Sequence, residues 1–127
     1  MKVANKQFGE IEFTQEMLIK FEDGIIGFEN LKNYLIVNSG DELFLWLMSV
    51  EEPEIVFPLF GINALWEDYP QVKDSEPFGI VNLNKDPKKI TVNLKAPVYV
   101  NLKEKKGIQK ILDEDGFPID YILFLEN

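Results

Sequence analysis

The run of residues 91–101 constrains the fold more than any other part of this sequence. Apolar side chains occupy every second position in it, and mostly polar side chains lie between them. The apolar positions are Val92, Leu94, Ala96, Val98 and Val100. Such alternation predicts extended backbone with one buried face and one solvent-facing face. Because Pro97 has no N–H group to donate to a neighbouring strand, the run is either an edge strand or two strands that meet at a bulge or bend.

Short apolar segments separated by turn residues fill most of the remaining sequence. Counting the alternating run, we predict strands at about eight places, the first of them a strand or a hairpin with Gly9 at its bend. These places are residues 6–13, 16–22, 35–37, 43–48, 55–62, 78–83, 91–101 and 121–125. Turn residues recur roughly every ten positions, for example at residues 39–42. This pattern predicts a small all-β barrel or sandwich, formed by residues 1–127 as one domain.

Two apolar segments allow more specific predictions. Residues 43–48 are apolar at every position, so both faces of this strand are expected to be buried. Residues 55–62 contain Pro58 and Gly61, which favour a bent or edge strand.

Two short helical turns are also predicted. Phe28, Leu31 and Tyr34 follow one another at three-residue spacing, as on one face of a helix. Asn63 is a good N-cap for a short helix over residues 64–69.

The composition excludes several kinds of chemistry. The 127 residues include no histidine, cysteine or arginine. A catalytic triad with histidine, a thiolate metal site and a disulfide are therefore impossible, and guanidinium recognition of phosphate is absent. Any catalysis would depend on carboxylates, lysine or tyrosine. The sequence also has no long apolar span and no secretory signal, so we expect a cytosolic protein that contacts no membrane.

The negative charge is concentrated in the first part of the sequence. Residues 1–70 contain 13 acidic and 4 lysine side chains, a net charge of −9, whereas residues 71–127 contain 9 of each. One interpretation is a solvated acidic surface; the other is a face that attracts a basic partner. Direct binding to nucleic acid is disfavoured, because it requires a basic footprint.

One candidate partner-binding site is the acidic cluster around Pro53. Its members are Glu51, Glu52 and Glu54. Acid–base catalysis by such a cluster would require a buried carboxyl with a raised pKa, whereas a loop between two apolar strands favours solvated charges. A calcium site at residues 113–115 is set aside, because those carboxylates lack the spaced ligand pattern.

A second candidate site combines aromatic and acidic residues. They are Phe60, Trp66, Glu67, Asp68 and Tyr69. The aromatic side chains either pack against the end of the barrel or form an exposed patch rimmed by acid, which is typical of protein-binding surfaces. The apolar run at residues 121–125 raises the same question, since an edge strand can pair within its own sheet or with a partner.

The alternating run and several shorter motifs resemble the flagellar assembly factor FliW family. The similarity extends over essentially the whole sequence, and the motifs occur in the same order. The matching residues are Phe21, Gly24, Gly27, Phe28, Ser49, Phe57, Tyr69, Thr91, Asn93, Leu94, Pro97, Asn101 and Gln109. Ile26 departs from the family pattern, in which this turn often contains proline.

The resemblance implies both a fold and a function. It implies a small antiparallel β-barrel-like domain that binds flagellin and the translational repressor CsrA. Holding CsrA would free the flagellin message for translation. It implies no catalysis, cofactor, metal or small-molecule substrate. Two alternatives from other classes are a carboxylate-dependent hydrolase on a β-barrel and an OB-like nucleic-acid-binding module. The first requires a deep pocket with a perturbed carboxyl, and the second a basic stripe with exposed aromatic residues.

Overall fold

The computed structural model describes residues 1–40 and 43–124, which form the predicted all-β fold. Its strands are β1 (Lys2–Asn5), β2 (Gly9–Glu12), β3 (Ile19–Lys20), β4 (Asn33–Val37), β5 (Leu45–Ser49), β6 (Val56–Gly61), β7 (Glu76–Asn82), β8 (Thr91–Val92), β9 (Val98–Asn101), β10 (Lys106–Gln109) and β11 (Tyr121–Ile122). Three-residue 3-10 helices lie at Gln15–Met17, Ile62–Ala64 and Pro87–Lys89.

Seven strands close into a barrel in the order β3, β4, β5, β6, β7, β9, β10 and back to β3. Neighbouring strands are antiparallel, except that β3 and β10 run parallel with Lys20 opposite Lys106. Closure depends on β7, which pairs with β9 through its first three residues and with β8 through its last two. Outside the ring, β11 extends the sheet beyond β8, and β1 and β2 form a separate hairpin. A closed ring leaves no unpaired edge among these seven strands.

The side chains of β5 show how the barrel is buried on both sides. Leu45 and Leu47 belong to the barrel interior, whereas Trp46 and Met48 belong to two clusters outside the barrel wall. The prediction of burial on both faces is therefore confirmed for the strand. It is wrong for the preceding Leu43, which is 41% exposed.

Two covering layers bury the outer surface of the barrel. The hairpin of β1 and β2 places Val3 and Ile11 against Leu35 and Met48. Its bend lies at residues 6–8, and Gly9 follows that bend with φ +73°. The other layer packs residues from the 62–72 segment and the C-terminal part against an adjoining region of the outer surface. Its buried members include Ile62, Tyr69, Val92, Leu94 and Leu112.

The alternating run forms two strands, so the alternative with a bend is confirmed and the edge-strand alternative is wrong. β9 has a partner on each side, β10 and β7. The chain leaves β8 after Val92 because Asn93 closes a turn. Its Oδ1 accepts hydrogen bonds from the N–H groups of Lys95 (2.9 Å) and Ala96 (3.0 Å).

Burial follows the predicted alternation along this run, with exceptions on each face. Val92, Leu94, Val98 and Val100 are at most 2% exposed, whereas Ala96 is only partly buried. The intervening face is not polar throughout: Pro97 and Tyr99 are buried as well. Tyr99 is buried because the outer layer covers that side of β9.

Several predicted elements differ from the structure. Residues 16–22 form a 3-10 helix followed by the two-residue β3, and residues 28–32 form turns with no helix before β4. Residues 64–69 are likewise mostly turns, and the 3-10 helix beside them is N-capped by Gly61 in place of Asn63. β6 lies between β5 and β7, so it is not an edge strand. The predicted turn at Asp41 and Glu42 and the last residue of the 121–125 run, Leu125, lie outside the described residues.

Candidate partner-binding surface

The most exposed part of the second candidate site is a loop with two apolar and two acidic residues. Leu65 is 39% and Trp66 is 36% exposed, and the next two residues, Glu67 and Asp68, are exposed as well. We call these four residues the acidic–aromatic loop. Large exposed apolar side chains beside charged ones are typical of the surfaces by which proteins bind one another.

Two tyrosine side chains hold the loop in place. Tyr69 follows the loop in the chain, and Tyr99 lies beneath it. The Tyr69 hydroxyl donates a hydrogen bond to the Leu94 carbonyl, and the Tyr99 hydroxyl donates to the Pro70 carbonyl at 2.8 Å. Burial raises the pKa of both hydroxyls above the ordinary value for tyrosine. Both hydroxyls are therefore neutral hydrogen-bond donors at neutral pH, and their hydrogen bonds fix the position of the loop.

Trp66 is exposed on one side and packed on the other. Its ring lies 5.0 Å from that of Phe117 and 6.1 Å from that of Tyr69, measured between centroids. Both interpretations of this aromatic group are thus partly right. Phe60 and Tyr69 are buried in the outer layer at 8% and 1% exposure, so they support the loop, and Trp66 is available to a partner.

A second acidic segment lies beside this loop. Phe117, which contacts Trp66, follows Asp113, Glu114 and Asp115 closely in the chain, and all three acids are exposed. The negative charge of Glu114 contributes to raising the pKa of Tyr69 and Tyr99. Sequence reasoning did not connect residues 113–115 with Trp66. The acidic run was visible, but only the fold brings it next to a residue almost fifty positions earlier.

The acidic cluster around Pro53 is largely engaged within the fold. The Glu51 carboxylate accepts hydrogen bonds from the N–H groups of Lys32 (3.1 Å) and Asn33 (2.9 Å). The Glu54 carboxylate accepts from the N–H of Lys6 at 3.1 Å. Glu52 is exposed, and its own N–H donates to Ser49 Oγ at 3.0 Å. These acids lie at the start of β4 and beside the β1–β2 bend, apart from the acidic–aromatic loop in sequence.

The amide side chains among the family motif residues close turns. Asn93 closes the turn after β8, and the Asn101 Oδ1 accepts from the N–H of Glu104 at 3.0 Å. Gln109 joins two separate loops: its Nε2 donates to the Ala96 carbonyl at 3.0 Å, and its Oε1 accepts from the N–H of Ile26 at 2.8 Å. Proline at position 26 could not donate that last bond, so the departure from the family pattern adds a contact here.

The remaining motif residues shape the backbone or the core. Gly24 has φ +68°, and a Cβ there would lie 2.6 Å from the Glu29 Cα, so only glycine fits. Phe21 is fully buried, and Phe28 packs edge-on against Phe57 with ring centroids 5.2 Å apart. Gly27 has φ +90°, and Ser49, Leu94 and Pro97 are buried. Most residues that carry the family resemblance therefore define the fold and not an exposed surface.

Two features are absent from the described residues. Within residues 1–40 and 43–124, no group of three or more acidic side chains could hold a metal ion. In the same part of the chain, no helix is long and apolar enough to cross a membrane.

Comparison with known proteins gives one consistent result. The family model described as FliW protein matches residues 2–77 and 70–123. Flagellar assembly factor FliW of Caldicellulosiruptor bescii is 38% identical over 96% of this chain and 90% of its own length. The factor of the same name from Lachnospira eligens is 32% identical over 98% of this chain and 95% of its own. A crystal structure of the flagellar assembly factor FliW superposes with a TM-score of 0.86 at 26% identity and covers 98% of each chain.

Proposed function

Because this chain belongs to the FliW family of flagellar assembly factors, we propose that it binds flagellin and the translational repressor CsrA in the cytoplasm. The observation that carries this proposal is similarity in both sequence and fold over nearly the entire chain.

The proposed binding couples flagellin synthesis to flagellin secretion. When free, the chain holds CsrA, and the flagellin message is translated. Accumulating flagellin then occupies the chain, CsrA is released, and translation falls. Secretion removes flagellin and restarts the cycle. In this scheme the protein acts through two binding equilibria and catalyses nothing.

The acidic–aromatic loop has the charge and the apolar surface expected of a binding site for the repressor. A protein that holds RNA needs a positive working surface, and opposite charges across an interface speed its encounter with a partner. Glu67 and Asp68 provide negative charge beside Trp66, and the exposed acids at residues 113–115 lie on the same side of the outer layer. Trp66 supplies the apolar contact area that determines how long a complex lasts.

Direct binding of purified proteins tests this function. The chain is titrated separately with monomeric flagellin and with CsrA in a calorimeter, and then with CsrA in the presence of saturating flagellin. We expect both proteins to bind and flagellin to lower the apparent affinity for CsrA. Absence of binding to either protein would contradict the proposal.

A matched pair of variants separates binding from folding. Trp66→Ala removes the exposed ring, whereas Leu83→Ala removes an apolar side chain that is 47% exposed elsewhere on the surface. We expect Trp66→Ala to speed dissociation of CsrA roughly tenfold, the effect of losing an interface anchor. Leu83→Ala is expected to behave as the wild type in binding, and thermal melting of both variants checks that they fold.

A further inference from the structure

An apolar groove crosses one end of the barrel, where β5 begins, β6 ends and β7 begins. Its volume is about 440 Å³, within the range of pockets that hold small ligands or a few side chains. Its lining residues come from these three strands and from the 3-10 helix after β6. They are Leu43, Phe44, Leu45, Leu59, Phe60, Gly61, Ala64, Glu76 and Phe78.

The floor of the groove is rigid because it belongs to the core. Leu59 and Phe78 are 1% and 5% exposed and are part of the barrel interior. Phe44 and Phe60 belong to the outer layer, and their ring centroids lie 6.4 Å apart. A floor made from two packed clusters is present before any ligand arrives, so binding would require little reordering of the protein.

One charged residue lines this otherwise apolar groove. The carboxylate of Glu76 lies over Gly61, where a Cβ would be 3.5 Å from Oε2. Within the described residues, no hydrogen bond or ion pair to this carboxylate is found. An acid at the margin of an apolar groove is complementary to an apolar side chain with a cation beside it.

We infer that this groove docks a segment of a partner protein that carries aliphatic side chains next to a lysine or arginine. Ala64 lines the groove and immediately precedes the acidic–aromatic loop, whose Leu65 and Trp66 are exposed apolar side chains. The inference rests on the proposed function in that the ligand is a protein. It adds a docking groove to the acidic–aromatic loop.

A peptide titration tests the groove without either natural partner. The probe is acetyl-leucyl-lysyl-leucinamide, and the control is acetyl-leucyl-glutamyl-leucinamide, which reverses the charge. Each is added to isotope-labelled protein to about 10 mM, a range suited to weak binding, while backbone amide shifts are followed. We expect saturable shifts at the groove residues with the lysyl peptide. Its affinity should exceed that of the glutamyl peptide about two- to fivefold, as expected for one exposed ion pair.

Variants at the groove provide the controls. Glu76→Gln should remove the preference for the lysyl peptide, whereas Glu16→Gln, at an exposed acid outside the groove, should retain it. Ala64→Phe should fill the groove and abolish the saturable shifts. Asn63→Phe adds the same ring at the adjacent position, which does not line the groove, and should bind as the wild type. Shifts that do not saturate, or that survive Ala64→Phe, would overturn the inference.

The same variants distinguish the possible occupants. Where the wild type binds flagellin or CsrA, Ala64→Phe should weaken at least one of them about tenfold, the loss expected on blocking an anchor site. Affinities within about twofold for both would overturn the inference, and so would a wild-type dimer in sedimentation that Ala64→Phe dissociates. If the wild type binds neither protein, the proposed function fails, and the peptide titration still decides the groove.

Discussion

Neighbouring acidic residues of the 51–54 segment have different roles although their chemistry is the same. All three carboxylates are exposed, but within the described residues only those of Glu51 and Glu54 accept hydrogen bonds from backbone N–H groups of distant residues. The sequence predicted an acidic turn between two strands correctly. It could not assign these roles, because the donors at Lys6 and Asn33 lie 48 and 18 positions away.

This difference predicts unequal effects of two adjacent substitutions. Glu51→Ala removes an acceptor for two backbone N–H groups at the start of β4. Hydrogen bonds to a charged group are worth about 1.5 to 3 kcal/mol when well formed, and solvent reduces that value here, so we expect a loss of about 1 to 2 kcal/mol. Glu52→Ala should change stability by less than about 0.5 kcal/mol. Urea unfolding of the two variants measures both values, and equal stabilities would contradict the assignment.

The Tyr34 hydroxyl is a buried polar group in the barrel interior. Tyr34 is fully buried, and within the described residues its hydroxyl has no hydrogen-bond partner. Burial, with a smaller contribution from the negative charge of Glu51, raises the pKa of Tyr34 to about 12. The ring is nevertheless well packed, since it lies 5.1 Å from the Phe21 ring in an edge-to-face arrangement.

Alkaline unfolding should depend on this residue. Below pH 10 the hydroxyl is protonated in both folded and unfolded protein, and its effect on stability is constant. Between pH 10 and about 12 the unfolded chain loses the proton that the folded barrel retains. Stability then falls by roughly 1.4 kcal/mol per pH unit for this group. Tyr34→Phe should remove that part of the slope and be neutral or slightly stabilising at pH 7. Urea unfolding at pH 7, 10 and 11 tests this, and an unchanged slope would contradict it.

At the scale of elements, the alternating run was the most informative part of the sequence. Its period of two correctly predicted that Val92, Leu94, Val98 and Val100 are buried, although it did not predict the burial of Tyr99 on the other face. Pro97 correctly indicated a bend as one alternative. The helical turns were wrong for a physical reason: three-residue spacing at Phe28, Leu31 and Tyr34 also arises from successive turns. The N–H of Phe28 donates to the Ile25 carbonyl, and that of Leu31 donates to the Phe28 carbonyl.

Barrel closure itself could not be predicted from local patterns. It depends on the parallel pairing of β3 with β10, whose facing residues, Lys20 and Lys106, are separated by most of the chain. Gly107 permits this approach, because a Cβ there would lie 2.2 Å from the Phe21 ring. Neither contact leaves a periodic signal in the sequence.

A charge placed on the closing strands tests their assigned faces. Val98 in β9 is fully buried inside the barrel, whereas Ile108 in the neighbouring β10 is 39% exposed. Val98→Asp places a carboxylate in the core and should lower the free energy of unfolding by more than about 4 kcal/mol. We therefore expect an unfolded or aggregated protein. Ile108→Asp should remain folded with a loss of about 1 kcal/mol. Circular dichroism on heating distinguishes them, and a cooperatively melting Val98→Asp protein would contradict the account.

At the scale of the whole molecule, the concentration of charge in the first seventy residues suits a binding protein. Glu67 and Asp68 lie on the exposed loop beside Trp66, and the fold adds the acidic segment 113–115 from the otherwise balanced second part. The sequence therefore predicted the sign of the surface but not its full extent. Packing between segments that are distant in the chain determines that extent.

The acidic surface should control how fast a basic partner associates. Reversing Glu67 and Asp68 to lysine changes the local charge without touching the core, since both residues are exposed. We expect association with CsrA to slow roughly tenfold at low salt and to become less dependent on salt. Stopped-flow mixing at several ionic strengths measures this. As a control, Lys replaces Glu10 and Glu12 on the β1–β2 hairpin. Equal rates for wild type and the Glu67/Asp68 variant at every ionic strength would remove these acids from the interface.

A reconstituted translation reaction tests the central claim, that this chain reversibly couples flagellin synthesis to free flagellin. The reaction contains flagellin message, CsrA sufficient to repress it, and increasing amounts of the purified chain. We predict that translation recovers as the chain approaches the amount of CsrA, and that added monomeric flagellin represses it again. Translation that stays repressed at every amount of wild-type chain, or that flagellin leaves unchanged after recovery, would contradict the account.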